Sequence, residues 1–321
     1  MWPAVRRAAD ALHQERALDL IHAHFIYPDG VLAARLGRRY GVPVMTTEHA
    51  LWQPWLEQHA AVRRQVLDAL SQITVVSVVS AAVGRSVRAV AGDRVRTEIL
   101  PNVVDEAVFR APADGEAWDP DELLFVGAVR HVKGLDVLVR ALPLVRARFP
   151  SARLTIVGEA FYRQWRRDEL AVRRLVRELG LEPWVTFAGA ADAAGVAAAM
   201  RRSAVLVVPG RRESFSAVAI EALASGTPVV ATRCGGPEDI LTPDTGRLVP
   251  PEDPVALAAA LTEVMHRRAG FDRAALRAHA VGRFGVAAGL ARLGHLYADL
   301  LGVGALGEPA PSTGATLPLR E

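Results

Sequence analysis

Three loops carry the residues whose types and spacing point to chemistry. The first runs Val126-Gly127-Ala128-Val129-Arg130-His131-Val132-Lys133-Gly134. Its glycines permit turns and close backbone approach. Its cations, Arg130 and Lys133, are placed to reach an anion. Lys133 is the only lysine in a chain with 38 Lys+Arg. A lysine kept where arginine is otherwise favoured points to a need for a compact ammonium rather than a planar guanidinium.

The second loop spans Pro209 to Glu221. Ser214 reads as an N-cap with a helix beginning at Phe215. The backbone amides of Phe215, Ser216 and Ala217, with the helix dipole, would then favour a phosphate. Glu213 stands just before that helix end. Glu221 lies roughly 9 Å further along the helix by rise. Carboxylates accept hydrogen bonds from sugar hydroxyls, so two at this spacing suit two sugar rings. The third loop, Thr232 to Asp239, holds Gly235-Gly236-Pro237, a start suited to another helix. Each loop also has a plainer reading: a solvated lysine in a strand–helix turn, a dipole-capping Glu213 with a surface Glu221, and an ordinary capped helix.

The elements that must position these loops follow from alternation of β-branched runs with amphipathic Ala/Arg/Leu segments. Strands are predicted at Leu18–His22, Val42–Thr47, Ile73–Val79 and Thr97–Leu100. Six more follow at Leu123–Val126, Arg153–Val157, Val185–Ala188, Val205–Val208, Pro228–Ala231 and Arg247–Val249. Helical patterns between them predict an α/β protein with parallel sheets covered on both faces. All three loops then follow strands and open onto one crevice.

Residues 106–121, with FRAPADGEAWDPDE across them, read as a linker. It divides a first unit, residues 1–105, from a second, residues 122–283. The first unit reads as incomplete, since it opens inside a helical segment instead of a strand and glycine-rich turn. Residues 302–321 read as a disordered tail. Its Gly302-Val303-Gly304-Ala305-Leu306-Gly307 matches GxGxxG but follows a helix instead of a strand, so it is a decoy.

Composition narrows the classes. Hydrophobic residues make up 51% of the 321, enough for buried cores. No apolar run reaches the length of a membrane span, and the first residues lack the apolar region of a signal peptide. A cytoplasmic protein is expected, with peripheral contact to anionic membrane left open. The single cysteine excludes an internal disulfide and cysteine-based zinc sites. Ligand spacing for a metal is absent, and no metal or cofactor is expected. The net charge of +3 is spread along the chain, which argues against a nucleic-acid partner.

The order and spacing of VGAVRHVKGLDVLVRAL, LTIVGE, VTFAGA, VLVVPGRRESFSAVAIEALASGTPVVATRCGGPEDI and GRLVPPEDP carry a resemblance. Residues 123–250 resemble the donor-binding domain of GT-B glycosyltransferases of family 4, also called group 1. DLIHAHFIYPDGVLAARLGRRYGVPVMTTEHA and ILPNVVDEAVF extend it more weakly. The resemblance implies two Rossmann-like doubly wound domains facing a cleft, the first one truncated. It implies transfer of a sugar from a nucleotide-diphosphate sugar to a glycan, lipid-linked or small-molecule acceptor, with retention at the anomeric carbon and no essential metal. Lys133 would bind the diphosphate, in the loop that Gly127 opens. Family members place an arginine at the position of Ala128, and Arg130 stands two residues on. Glu213 would contact the transferred sugar and Glu221 the nucleotide ribose. The amides of Phe215, Ser216 and Ala217 would meet sugar or phosphates. His49 would face the donor sugar, with His22 and His24 lining the cleft nearby. Residues 284–301 would cross back as a helix onto the first domain.

Two features fall outside that mapping. Leu51-Trp52-Gln53-Pro54-Trp55 would put two indoles near the cleft mouth. The arginine-rich Phe161–Gly180 segment reads as a solvated helix face. Rival functions are a nucleotide-sugar-binding protein without transfer activity and a nucleotide-sugar epimerase of the same architecture.

Overall fold

The structure, a computed structural model, describes residues 2–52, 58–113, 115–116, 118–267 and 270–303. Gln53, Pro54 and Trp55, and the predicted tail beyond Val303, lie outside the described residues.

The first unit contains α1 (Trp2–Glu15), β1 (Ile21–His24), α2 (Val31–Tyr40), β2 (Val44–Glu48), α3 (Ala60–Leu70), β3 (Val75–Val78), α4 (Ala81–Ala91) and β4 (Thr97–Ile99). Its sheet is parallel, in the order β1-β2-β3-β4. Strands β2 and β3 are buried along their whole length. That burial explains their continuous apolar and β-branched character, since helices cover both faces of a parallel sheet.

The second unit opens with β5 (Asp119–Val126), α5 (Leu135–Arg146), β6 (Arg153–Val157), α6 (Arg166–Glu178), β7 (Val185–Gly189), α7 (Ala193–Arg202) and β8 (Ser203–Val208). It continues through α8 (Ala217–Ala224), β9 (Val229–Thr232), α9 (Pro237–Ile240), β10 (Gly246–Val249) and α10 (Pro254–His266). The parallel sheet runs β10-β9-β8-β5-β6-β7. From β5 the chain winds outward to β7, then returns to β8 and winds the other way. The loops after β5 and β8 therefore part at a topological switch point, where open α/β sheets place ligands. Leu123, Leu124, Leu138, Leu154, Ile156 and Leu206 are fully buried around this centre.

Two boundaries differ from the sequence reading. Strand β5 begins at Asp119, inside the segment read as linker. Its acidic start is held by charge: Asp119 accepts from Arg153, and buried Glu122 takes a paired hydrogen bond from Arg202 at 2.8 and 2.9 Å. The crossing helix, expected over 284–301, is α12 (Val286–Leu301), and α11 (Arg273–Phe284) precedes it. Gly285 is extended between them, with room for no side chain: a Cβ there would meet Val281 O at 2.5 Å. Val104 N donates to Phe284 O at 2.8 Å, and Arg277 donates to the carbonyls of Phe109, Glu106 and Ala224. These bonds join the crossing to both units. Gly302 ends α12 in a left-handed conformation, φ 65°, so the first glycine of the decoy motif serves as a helix stop.

Truncating a side chain in this centre removes packing that nothing can replace. Ile156→Ala is expected to lower the unfolding free energy by about 2–5 kcal/mol, read from urea denaturation. A change below about 1 kcal/mol would contradict the burial assigned to that strand.

Candidate functional site at the interdomain cleft

The loop after β5 folds into a 3-10 turn at His131–Lys133 and leaves it through Gly134 at φ 65°. A Cβ on Gly134 would sit 1.9 Å from Pro209 O. The glycine after the lysine is thus required twice, by conformation and by the backbone of the next loop. Arg211 then clamps the two loops together. Its amide donates to Val132 O at 2.8 Å, and its guanidinium donates to His131 O at 2.5 Å and to both oxygens of Asp136 at 2.8 Å. Sequence reasoning passed over this arginine. Its only signal is a second cation beside Arg212 in a loop expected to hold an anion.

The third loop closes against the second. Glu213 N donates to Cys234 O, and Gly236 N donates to Glu213 O, both at 2.9 Å. Cβ atoms on Gly235 and Gly236 would strike Glu213 O at 2.3 Å and Phe215 O at 2.1 Å. The sequence pair Gly235-Gly236 is explained by this contact. With all three loops converged, Lys133 Nζ donates to Glu213 Oε1 at 2.5 Å. Residues assigned to different parts of a ligand form one ion pair, with Glu213 buried and Lys133 partly exposed.

The expected cap at Ser214 is not what the structure shows. Helix α8 starts at Ala217, after Ser216 takes a left-handed φ of 82°. Phe215 is buried and edge-on to Phe284 at 5.8 Å, and the chain bends at Ser214 and Phe215 before the helix begins. Ser214 instead ties the two units: its Oγ accepts from Leu51 N at 3.2 Å and its carbonyl accepts from Ser80 Oγ at 2.5 Å. Asp239 adds a bond from Ala81 N at 2.6 Å. The amides of Phe215 and Ser216 have no hydrogen-bond partner among the described residues, and the Ser216 hydroxyl is buried without one. Glu221 is half-buried on α8, and burial raises its carboxyl above the usual range.

Arg130 stacks over Trp165, with its guanidinium carbon 5.1 Å from the ring centre and a buried Nε that lacks a partner. Both residues line a cavity of about 440 Å³ with Leu51, His131, Arg212 and Ser214. Asp168 also lines it, accepting from His131 N at 2.7 Å. The start of the arginine-rich segment is therefore part of the cleft, while its later turns are surface helix. Gly127, φ 149°, packs its carbonyl where a Cβ on Gly158 would fall, 2.0 Å away.

His49 sits in a second cavity, with His22, His24 and α12. The parallel register puts His24 opposite Thr47, so His49 just past β2 continues a stack begun on β1. Ring centres are 4.8 Å apart for His22–His24 and 5.1 Å for His24–His49. His24 Nδ1 and His49 Nε2 are hydrogen-bonded at 2.8 Å. His22 bonds Tyr297 OH at 2.8 Å and Thr47 Oγ1 at 2.7 Å. Glu48, which sequence reading missed, fixes the backbone beside His49: its carboxylate accepts from Ile26 N and Ala50 N, both at 2.9 Å. Lys133, Glu213 and the 215–217 backbone are thus gathered at the switch point. His49 is not brought into contact with them; Leu51, two residues on, borders the Arg130 cavity and bonds Ser214. Among the described residues no group of three or more His, Cys, Asp or Glu is arranged to hold a metal, and no helix is long and apolar enough to cross a membrane.

Burial, then the neighbouring His24 and His49, pulls His22 from its ordinary 6.5 down to about 4. Burial and His24 lower His49 as well. A folded value below the unfolded one means that protonation favours the unfolded chain. Stability from His22 is complete above about 6.5 and is lost as pH falls toward about 4. Urea melts across that window are expected to show the loss, and His22→Gln to flatten it. An equally steep acid limb in the variant would contradict this assignment.

Comparison with known proteins agrees with this layout. A family model described as Glycosyltransferase Family 4 matches residues 1–108, and one described as Glycosyl transferases group 1 matches residues 120–267. D-inositol 3-phosphate glycosyltransferase 2 of Catenulispora acidiphila is 32% identical over 315 residues, covering 90% of this chain and 72% of its own. Glycogen synthase of Mycobacterium tuberculosis is 30% identical over 272 residues, covering 80% of this chain. The chain spans 62% of that glycogen synthase's length. Among solved structures, sucrose-phosphate synthase from Thermosynechococcus elongatus superposes with TM-score 0.80 at 27% identity, over 94% of this chain and 78% of that one. Anabaena HepE in complex with UDP shares the fold with TM-score 0.81 at 19% identity, over 92% and 82%. With two parallel α/β sheets and the Lys133–Glu213 pair at a switch point facing a cleft, the chain belongs to glycosyltransferase family 4, the group 1 glycosyltransferases of GT-B fold.

Proposed function

We propose that this chain moves a sugar from a nucleotide-diphosphate sugar to a glycan, lipid-linked or small-molecule acceptor, with retention at the anomeric carbon and without a metal. The observation that carries this is the Lys133–Glu213 ion pair beside the unpartnered amides of Phe215 and Ser216. An arriving diphosphate takes over Lys133 and the amides. Glu213, released from its cation, accepts from hydroxyls of the sugar. Glu221, held without a protein partner, accepts from the ribose. Arg130, whose Nε has no partner, supplies the second cation for the position that Ala128 leaves uncharged.

Chemistry follows from that placement. The bond between C1 and the phosphate oxygen breaks, and the acceptor oxygen bonds C1 on the same face. The acceptor proton passes to the departing phosphate. Lys133, Arg130 and the amides of Phe215 and Ser216 stabilise the charge that develops on the diphosphate. His49 lines the opposite wall. HepE, which shares the fold, was solved with UDP-glucose, and that donor class is the starting point for tests. The reading sets the enzyme in the cytoplasm, with peripheral contact to anionic lipid when the acceptor is lipid-linked; the net charge of +3 supports such contact.

A thermal-shift screen against UDP-, GDP- and ADP-sugars is expected to find one donor that raises the melting temperature. Stabilisation by none would defeat the proposal. Donor binding without nucleotide release on adding any acceptor would favour a binding protein, and sugar conversion without nucleotide release an epimerase. Lys133→Ala is expected to weaken the sugar nucleotide by about tenfold or more, the worth of a charged hydrogen bond, and hardly to change binding of the free nucleoside. Calorimetry showing equal losses for both would remove the diphosphate role.

A further inference from the structure

The molecule holds two cavities of opposite character, the second lined wholly by the first unit and α12. The one at Arg130 is charged, bordered by Arg130, Arg212 and Asp168. The other, about 380 Å³, lies beside His49, and no Asp, Glu, Lys or Arg lines it. Its polar side is the histidine stack. Its far wall is Leu100 and Val103 from the segment after β4, with Val286, Leu290 and Leu293 from α12. The close approach of Gly289 to Val103 shapes this wall: a Cβ on the glycine would fall 2.2 Å from Val103 Cγ1.

The apolar wall is open to solvent. Val103 is 48% exposed, Val286 42% and Leu290 52%. Three large apolar side chains around one concavity make an uncovered patch of the kind that marks a ligand groove. The volume falls in the range of small-molecule sites, which combine apolar walls with a few fixed polar groups. An anionic group buried here would find no cation among the lining residues, at a large desolvation cost. Imidazole nitrogens, in contrast, both donate to and accept from hydroxyls.

We infer that the cavity beside His49 is an acceptor subsite for an uncharged molecule with an apolar body and a hydroxyl-bearing end, such as an aryl glycoside. The apolar body lies on Val103 and Leu290, and the hydroxyls meet the His24–His49 pair. Burial holds His22 and His49 toward their neutral forms. This rests on the transferase reading for the word acceptor, but not for the binding itself.

The test follows the imidazoles of His24 and His49 by NMR in the full chain labelled with 15N-histidine, during titration with p-nitrophenyl β-D-glucoside, methyl β-D-glucoside and glucose 6-phosphate. The aryl glucoside is expected to shift both rings and to bind at least tenfold more tightly than the other two. Leu290→Glu, at an exposed position, is expected to weaken it at least tenfold while leaving nucleotide-sugar binding unchanged. Methyl glucoside or glucose 6-phosphate binding as tightly would overturn the inference. So would aryl glucoside binding indifferent to Leu290→Glu, or ring shifts that follow protein concentration, which would mean a second copy covers the patch. Failure of every nucleotide sugar to bind would sink the transferase reading while leaving this result intact.

Discussion

The close approach of Gly134 to Pro209 O is the constraint on which the rest of the site depends. It brings the loop after β5 onto the loop after β8, across the point where the strand order reverses. Without that contact Lys133 would extend into solvent from one loop while Glu213 sat on another. With it, an ammonium and a carboxylate meet at 2.5 Å. Arg211 locks the same approach from the other side through Asp136 and His131 O. The glycines at 235 and 236 repeat the device for the third loop. Small residues stand wherever two backbones must touch.

This gives the donor side a balanced charge before any ligand arrives. An isolated lysine facing the cleft would attract any anion. Paired with Glu213, it yields only to a ligand that satisfies both, an anion joined to a hydroxyl-bearing ring. Specificity of this kind is a difference between two interactions and not the strength of one. The histidine side has the opposite design. Burial and neighbouring imidazoles hold His22 and His49 toward neutrality, its hydrogen bonds run among rings and hydroxyls, and its outer wall is apolar. The charged cavity and the apolar one are thus joined by the short stretch from His49 to Leu51. Ser214 fastens that stretch to the donor-side loops.

Much of the fold was legible because buried parallel strands need continuous β-branched runs, and the helices between them need amphipathic stripes. The four and six strands expected match those observed. Misreadings cluster where charge or packing overrides local pattern. Asp119 looks like a linker residue until Arg153 is brought beside it. Ser214 looks like a cap, but Phe215 must be buried against Phe284, and the helix waits until Ala217. The crossing helix is one helix as expected, but it starts at Val286 and not at Phe284, because Gly285 passes close to Val281 and Val104.

The sequence by itself determined the inventory: a lone lysine before a glycine, two glutamates eight residues apart, a histidine past a buried strand, and alternation that sets them in or just beyond the loops at strand ends. These are local properties, written in residue type and spacing. Only the tertiary structure decided the partnerships. Lys133 and Glu213 are 80 residues apart, and His22 and Tyr297 are separated by 275. Arg211, Glu48 and Trp165 belong to the cleft for reasons that no window around them contains. Hydrogen bonds and ion pairs act over a few ångströms of space, and only folding converts distance along the chain into distance in space.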